Sequence, residues 1–277
     1  DAINKEIEVV ESNSELSIVK IVDISELSSI EALKYPVKLM FFDKDNGLAY
    51  KSLKKVIEQS NGGTNEQIFA KNSAYELLNE FYGKEVYSVD SKVILQDYNG
   101  GIPKISYASA DPLITANICM INANKIDSKK AIEYFYSIIN NSNSMPNDVT
   151  AAYMGLAALK QPVLNDIKYL LNNDNGLELI DKINLISGLA YIGDYASAQK
   201  YYETNIQGIM PVDKEYKYIG SDYETAVYKA NSRLLTTLAL TNHVDFKNVL
   251  NYVLDNSADD YISALDLLVA INNYMPM

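Results

Sequence analysis

Two hydrophobic periods divide the chain. In its first part, Glu6-Ile-Glu-Val9, Leu16-Ser-Ile-Val-Lys-Ile21 and Val37-Lys-Leu-Met-Phe41 alternate apolar and polar positions and use β-branched residues, as half-buried strands do. Asp43-Lys-Asp-Asn-Gly47 closes this part as a turn built on Asn46-Gly47. From Leu48 the period lengthens to that of helices. The pattern predicts helices over 48–60, 65–82, 112–122, 128–140, 148–159, 163–171, 177–192, 195–205, 222–240, 244–256 and 260–274. The stops between them have mechanisms, since Gly and Asn tolerate the backbone angles of turns. They are Gly62-Gly63, Gly83, Asn99-Gly100-Gly101-Ile-Pro103, Asn140-Asn-Ser-Asn143, Asn172-Asn-Asp-Asn-Gly176 and Gly193-Asp194. Asp127-Ser128 and Asp222 read as N-caps. A small β-rich segment, 1–46, thus precedes a helical domain, 47–277.

The helices are of two kinds. Met154-Gly-Leu-Ala-Ala-Leu159 and Leu234-Leu-Thr-Thr-Leu-Ala-Leu240 are apolar over much of their circumference and predict an inner layer. Ser128-Lys-Lys-Ala-Ile-Glu-Tyr-Phe-Tyr-Ser-Ile-Ile139 keeps a polar face and predicts an outer one. Alternation of inner and outer helices suits an α/α-toroid and also a helical solenoid. The solenoid has its own signal: Gly188-Leu-Ala-Tyr-Ile-Gly-Asp-Tyr-Ala-Ser-Ala-Gln-Lys-Tyr-Tyr202 resembles a tetratricopeptide turn. The repeat period does not recur on either side of it, and the Gly-Gly loop near Asn99 has no place in such a repeat, so the toroid is the expected fold.

Composition narrows the function more than the fold. The net charge of −12 opposes nucleic acid and anionic membrane as partners, because both attract basic surfaces. No run approaches the length of a membrane span. Cys119 is the only cysteine and lies in the apolar run Ile118-Cys-Met-Ile121, which predicts a buried, inert thiol and no disulfide. His243 is also alone, so an ordinary His/Cys zinc site is excluded and no metal or other cofactor is expected. Asp43–Gly47 has the look of a calcium loop's start, but Lys54 stands where its closing Glu would be. The chain starts at Asp1 rather than Met and shows no signal peptide, which reads as a piece of something longer.

Gly62-Gly63-Thr64-Asn65-Glu66-Gln67, followed at once by the helical run Ile68–Tyr82, resembles the thioester site of the α2-macroglobulin and complement family. There Gly-Cys-x-Glu-Gln opens a helix of a helical toroid, and the Cys and Gln side chains join in a reactive thioester. Gly63, Asn65, Glu66 and Gln67 fit, whereas Thr64 replaces the Cys. A hydroxyl is a far weaker nucleophile than a thiolate, so the resemblance implies the site without its warhead. The same residues have a structural reading, since Thr64-x-x-Gln67 is a capping box. Further resemblances follow in order. Gln96-Asp-Tyr-Asn-Gly-Gly-Ile102 is similar to the Leu-x-x-Gln-x-x-x-Gly-Gly turn of α/α-toroids, with Val93 for Leu. Ser109-Ala-Asp-Pro-Leu-Ile-Thr-Ala116, Asp148–Leu159, Leu185–Asp194 and Glu224–Leu240 are similar to helix starts and paired helices of bacterial macroglobulins.

The resemblance implies a mostly α fold, an α/α-toroid of paired helices behind a short β segment. It implies a non-catalytic interaction module of a larger secreted or cell-surface protein, with Gly63, Thr64, Asn65, Glu66 and Gln67 as the binding position. Its partner would be another protein or neighbouring domains of the same parent chain. Two alternatives stay open. A carbohydrate-active or carbohydrate-binding toroid would use converging carboxylates and some of the 22 tyrosines for stacking. A tetratricopeptide-like scaffold would use helical faces alone. Asp255-Asn-Ser-Ala-Asp259-Asp260 has the wrong spacing for a terpene-cyclase acid and reads as a loop after a helix.

Overall fold

Each of the eleven stretches read as helical contains a helix in the computed structural model. In chain order these are α1 (Lys44–Gln59), α2 (Asn65–Tyr82), α3 (Pro112–Asn122), α4 (Ser128–Ile139), α5 (Pro146–Ala158), α6 (Leu164–Asn172), α7 (Leu179–Ile192), α8 (Tyr195–Asn205), α9 (Glu224–Leu240), α10 (Phe246–Asp255) and α11 (Tyr261–Tyr274). The structure describes residues 42–60, 62–83, 96–173, 176–211, 216–220, 224–256 and 261–275. The three expected strands and the Asp222 cap lie outside these residues.

Local chemistry sets the helix ends. Asp43 Oδ1 accepts from the amides of Asp45 and Asn46 at 3.1 and 2.9 Å. That N-cap starts α1 earlier than expected: Asp43–Gly47 is the first helical turn, not a free turn closing a β segment. Satisfying two orphan amides outweighs the roughly 1 kcal/mol that Gly47 costs in a helix. Asp127 caps α4 as expected, accepting from Lys129 and Lys130. Gly193, at φ 98°, takes the left-handed conformation that ends α7 and turns the chain into α8.

Packing separates the helices as their patterns predict. In α4 only Ala131, Tyr134 and Phe135 are buried, whereas α7 buries nearly every residue from Ile183 to Ala190. α3 packs on α5, α5 on α7, α7 on α9 and α9 on α11, and α11 also packs on α3. α4 lies against α5, α6 and α8 against α7, and α10 against α9. α1 and α2 pack on each other and on α11. The core along these contacts includes Leu53, Ile114, Ile118, Met154, Leu156, Ile183, Leu185, Leu234, Leu238 and Leu267, all fully buried. Each such side chain contributes about 1.5–3 kcal/mol by leaving water. Thr115 of α3, Ala151 of α5 and Leu185 of α7 are buried as well.

Small residues let the two layers approach. A Cβ on Gly155 of α5 would lie 2.3 Å from Cζ of Phe135 on α4, so the phenyl ring occupies the space that glycine leaves. Before α3, the two-residue strands β1 (Ile102–Pro103) and β2 (Ala110–Asp111) pair antiparallel, with Ile102 opposite Asp111. Among the described residues no helix is long and apolar enough to cross a membrane.

Candidate functional site

The N-terminus of α2 carries all five residues singled out from the sequence. Thr64 is the N-cap, and with Gln67 it takes the arrangement of a capping box. Only the Gln67 arm closes: Oε1 accepts from the Thr64 amide at 3.4 Å, while Thr64 Oγ1 is buried outside hydrogen-bonding geometry. Gln67 folds back over Gly62, where a Cβ would lie 1.7 Å from Gln67 Oε1, so a side chain at 62 would displace the Gln67 amide. Asn65 points the other way, toward β1. Its amide donates to the Lys104 carbonyl at 2.9 Å and its Nδ2 to the Pro103 carbonyl at 2.8 Å. Gly63 faces open space. Glu66 and Gln67 are buried, at 0 and 2% exposure.

The excursion from Gln96 to Asp111 is fastened at both ends. Gln96 Nε2 donates to the carbonyls of Gly100 and Asp127 at 2.6 and 3.0 Å, and its Oε1 accepts from the Asp127 amide at 2.8 Å. One side chain thus closes its own loop and ties it to the start of α4. Asp111 Oδ1 accepts from Leu113 and Ile114, capping α3. The Asp111 carbonyl takes the Thr115 hydroxyl at 2.7 Å, and that hydroxyl oxygen accepts from the Ile102 amide at 2.8 Å. Tyr98 and Tyr107 on this excursion are almost fully exposed, at 89 and 88%.

The electrostatics of this end are strained toward the neutral forms of its acids. Burial pushes the Glu66 carboxyl up and Asp111 adds to the rise; the Thr64 hydroxyl and Lys104 ammonium beside it oppose without cancelling. Lys104 Nζ stands 3.8 Å from Glu66 Oε1 and is half exposed. Burial, then Asp111, also raises the Asp148 carboxyl. Tyr134 is raised by burial and by Asp111, Asp148 and Asp97. Asp111, at the head of α3, thus acts on a carboxyl of α2 and on one of α5, a grouping the sequence did not reveal.

Two further polar clusters also escaped the sequence. Arg233 of α9 is 2% exposed; its Nε donates to Asp266 Oδ1 of α11 at 2.9 Å and its Nη1 to Asn184 Oδ1 of α7 at 2.7 Å. Asn117 of α3 reaches the same Asp266 oxygen at 2.9 Å, and Asn184 Nδ2 reaches Thr150 of α5 at 3.1 Å. One network thereby joins the five inner helices. Elsewhere, Asp245 Oδ2 accepts from Tyr202 at 2.7 Å, Gln207 at 3.0 Å and Lys217 at 2.5 Å. Burial pushes the Asp245 carboxyl up, but the bonds from Lys217, Gln207 and Tyr202 outweigh it and hold it below the usual value. His243 sits beside this group, its Nδ1 accepting from the Asp245 amide at 3.1 Å.

Cys119 is buried, and burial pushes its thiol up to about 12, which leaves it protonated and inert. Asp255, the start of the acidic run weighed above, ends α10 and pairs with Lys51 at 2.9 Å. Among the described residues no group of three or more His, Cys, Asp or Glu is placed to hold a metal ion. No family model and no curated protein sequence matches the chain.

Proposed function

We propose that residues 47–277 are an α/α-toroid similar to the thioester domain of bacterial macroglobulins, without its cysteine. In this reading the domain is a non-catalytic interaction module of a larger secreted or cell-surface protein. Its binding position is the start of α2, from Gly63 to Gln67, and its partner is a protein or a neighbouring domain of the same parent. The observation that carries the reading is the place of Thr64. It stands at the opening of a helix packed on α1 and α11, with Gln67 folded back toward it and Glu66 buried between them and Lys104. By the resemblance the Thr64 hydroxyl stands in for the attacking thiol, and its ionisation at neutral pH is negligible. Contact there is non-covalent.

The packing order supports the toroid over the solenoid, because α11 returns to α3 and to the α1–α2 pair. The Gln96 clamp supports it as well, since it gives the Gln-x-x-x-Gly-Gly turn a mechanical task. The glycan-active alternative draws on the carboxyls of Glu66 and Asp148, each raised by burial and then by Asp111, and on exposed Tyr98 and Tyr107. Against it, the inner acid Asp266 is committed to Arg233.

Intact mass tests the reading directly. The wild-type mass should equal the sequence mass and be unchanged by methylamine. Thr64→Cys should then lose one ammonia as a thioester forms, and methylamine should add across that thioester to leave a methylamide at Gln67 and a free thiol. An ammonia-deficient wild type that methylamine reverses would overturn the non-covalent assignment. Activity on a polysaccharide panel, abolished by Asp148→Asn, would replace it with the glycan reading.

A further inference from the structure

The outer helices α6 and α8 each pack on α7, and a groove of about 390 Å³ lies between them. That volume falls within the roughly 300–1,000 Å³ of small-molecule sites. Each wall is one helix stripe: positions 168, 171 and 172 on α6, and 197, 200, 201, 204 and 205 on α8, spaced as neighbours on a single face are. Facing stripes that served only to close two helices on each other would be apolar. Here Leu171 is the one aliphatic residue of the eight. In a chain of net charge −12 the lining carries two ammonium groups and no carboxylate, a local reversal of sign. One of the two is committed, since Lys168 Nζ pairs with Asp194 Oδ2 at 2.5 Å, outside the lining. Lys200 is exposed and pairs with no acid among the described residues.

The bonds within the groove sort its polar atoms into donors and acceptors. The Tyr201 hydroxyl donates to Asn172 Oδ1 at 2.5 Å and so bridges the two walls. With its carbonyl taken, Asn172 keeps the two hydrogens of Nδ2 to donate. Asn205 is set the other way: its Nδ2 donates to the Tyr201 carbonyl at 2.9 Å, which leaves Oδ1 as an acceptor. The Thr204 hydroxyl donates to the Lys200 carbonyl at 2.8 Å, so its oxygen also faces a ligand as an acceptor. We propose that this groove binds a sugar acid, with the carboxylate on Lys200 and Asn172 and the ring hydroxyls donating to Asn205 and Thr204. Inorganic phosphate or an acidic side chain would satisfy the donors and leave the acceptors unused. A neutral sugar would do the reverse and leave the Lys200 charge unused. The site is one of binding alone, stands on the outer layer, and is independent of the reading given to the start of α2.

Titration of the full chain with sodium glucuronate, followed by amide NMR shifts, tests the proposal. Saturable shifts should appear on α6 and α8, and glucose and inorganic phosphate should each bind about tenfold or more weakly, the loss of one charge-assisted or of two neutral hydrogen bonds. Lys200→Met should weaken glucuronate about tenfold and leave glucose unchanged, whereas Lys200→Arg, which keeps the charge, should restore most of the affinity. Thr204→Val should weaken glucuronate and not phosphate. A uronate trisaccharide identifies the source: tighter binding than the monomer assigns a residue within an acidic polysaccharide, and equal binding assigns a free or terminal sugar acid. No saturable shift on α6 and α8, or phosphate binding as tightly as glucuronate, would overturn the proposal. A polyglutamate peptide that binds there more tightly than either uronate would replace it with an acidic protein segment. None of these results bears on the mass test at Thr64, so the two readings fail separately.

Discussion

Breaking the buried pair between α9 and α11 should be among the most destructive single changes in the chain. Arg233→Met keeps much of the volume but removes every guanidinium donor. Asp266 then loses its cation, and Asn184 Oδ1 loses the 2.7 Å bond from Nη1. Leaving one member of a buried pair uncompensated costs about 3–5 kcal/mol. At roughly 2–4 °C per kcal/mol for a unit of this size, the melting temperature should fall by roughly 6–20 °C. Arg233→Met with Asp266→Leu removes both charges, and should be less damaging than the single change. It should still fall short of wild type, because Asn117 and Asn184 each lose a partner worth about 1–3 kcal/mol when buried. Urea unfolding followed by far-UV circular dichroism gives the four free energies of the cycle. A single-mutant cost below about 1 kcal/mol, the range of exposed pairs, would mean that water screens Arg233 and that the network does not hold the inner helices.

Other outcomes follow from individual contacts. Gly155→Ala puts a methyl 2.3 Å from the Phe135 ring and should destabilise by about 1–3 kcal/mol, measured by the same unfolding assay. Gln96→Ala removes one hydrogen bond within the 96–111 excursion and two that tie it to Asp127 at the start of α4; limited proteolysis should cut that excursion faster, with global stability lowered by about 1–3 kcal/mol. Tyr202→Phe deletes a 2.7 Å bond to Asp245 and should cost about 1.5–3 kcal/mol at neutral pH. Because the folded state holds Asp245 below its ordinary value of 3.8, its contribution is present above that pH and is lost as pH falls through the folded value. Asp245→Asn should therefore flatten the acid limb of the stability profile, and an unchanged acid limb would contradict the assignment.

The helices were legible because an apolar stripe or an all-round apolar surface leaves a periodic trace. α4 and α7 show the two cases. The start of α1 was misread because Asn46-Gly47 is a strong turn signal, and the Asp43 side chain overrides it by capping two amides. At Thr64 the capping box was half right: Gln67 reaches back, whereas the hydroxyl turns into a buried space shared with Glu66. The site's charge partners left no local trace, because Lys104 and Asp111 meet Glu66 only through the fold. A usable signal did exist for the inner network. Arg233 stands at the head of the buried run that continues as Leu234-Leu235, and Asp266, the single charge on α11, interrupts Ala264-Leu265-Leu267-Leu268. A cation and an anion set within two such buried runs predict each other, because neither can be buried unpaired. What no pattern could supply is the third partner. Asn117 reaches Asp266 across 149 positions, and that contact exists only if the last inner helix lies beside the first. An all-round apolar helix at the end of an open array would leave one face in water. Packing α11 on α3, α9, α1 and α2 removes that exposed face, which makes the return of the chain on itself a consequence of the helix's own composition.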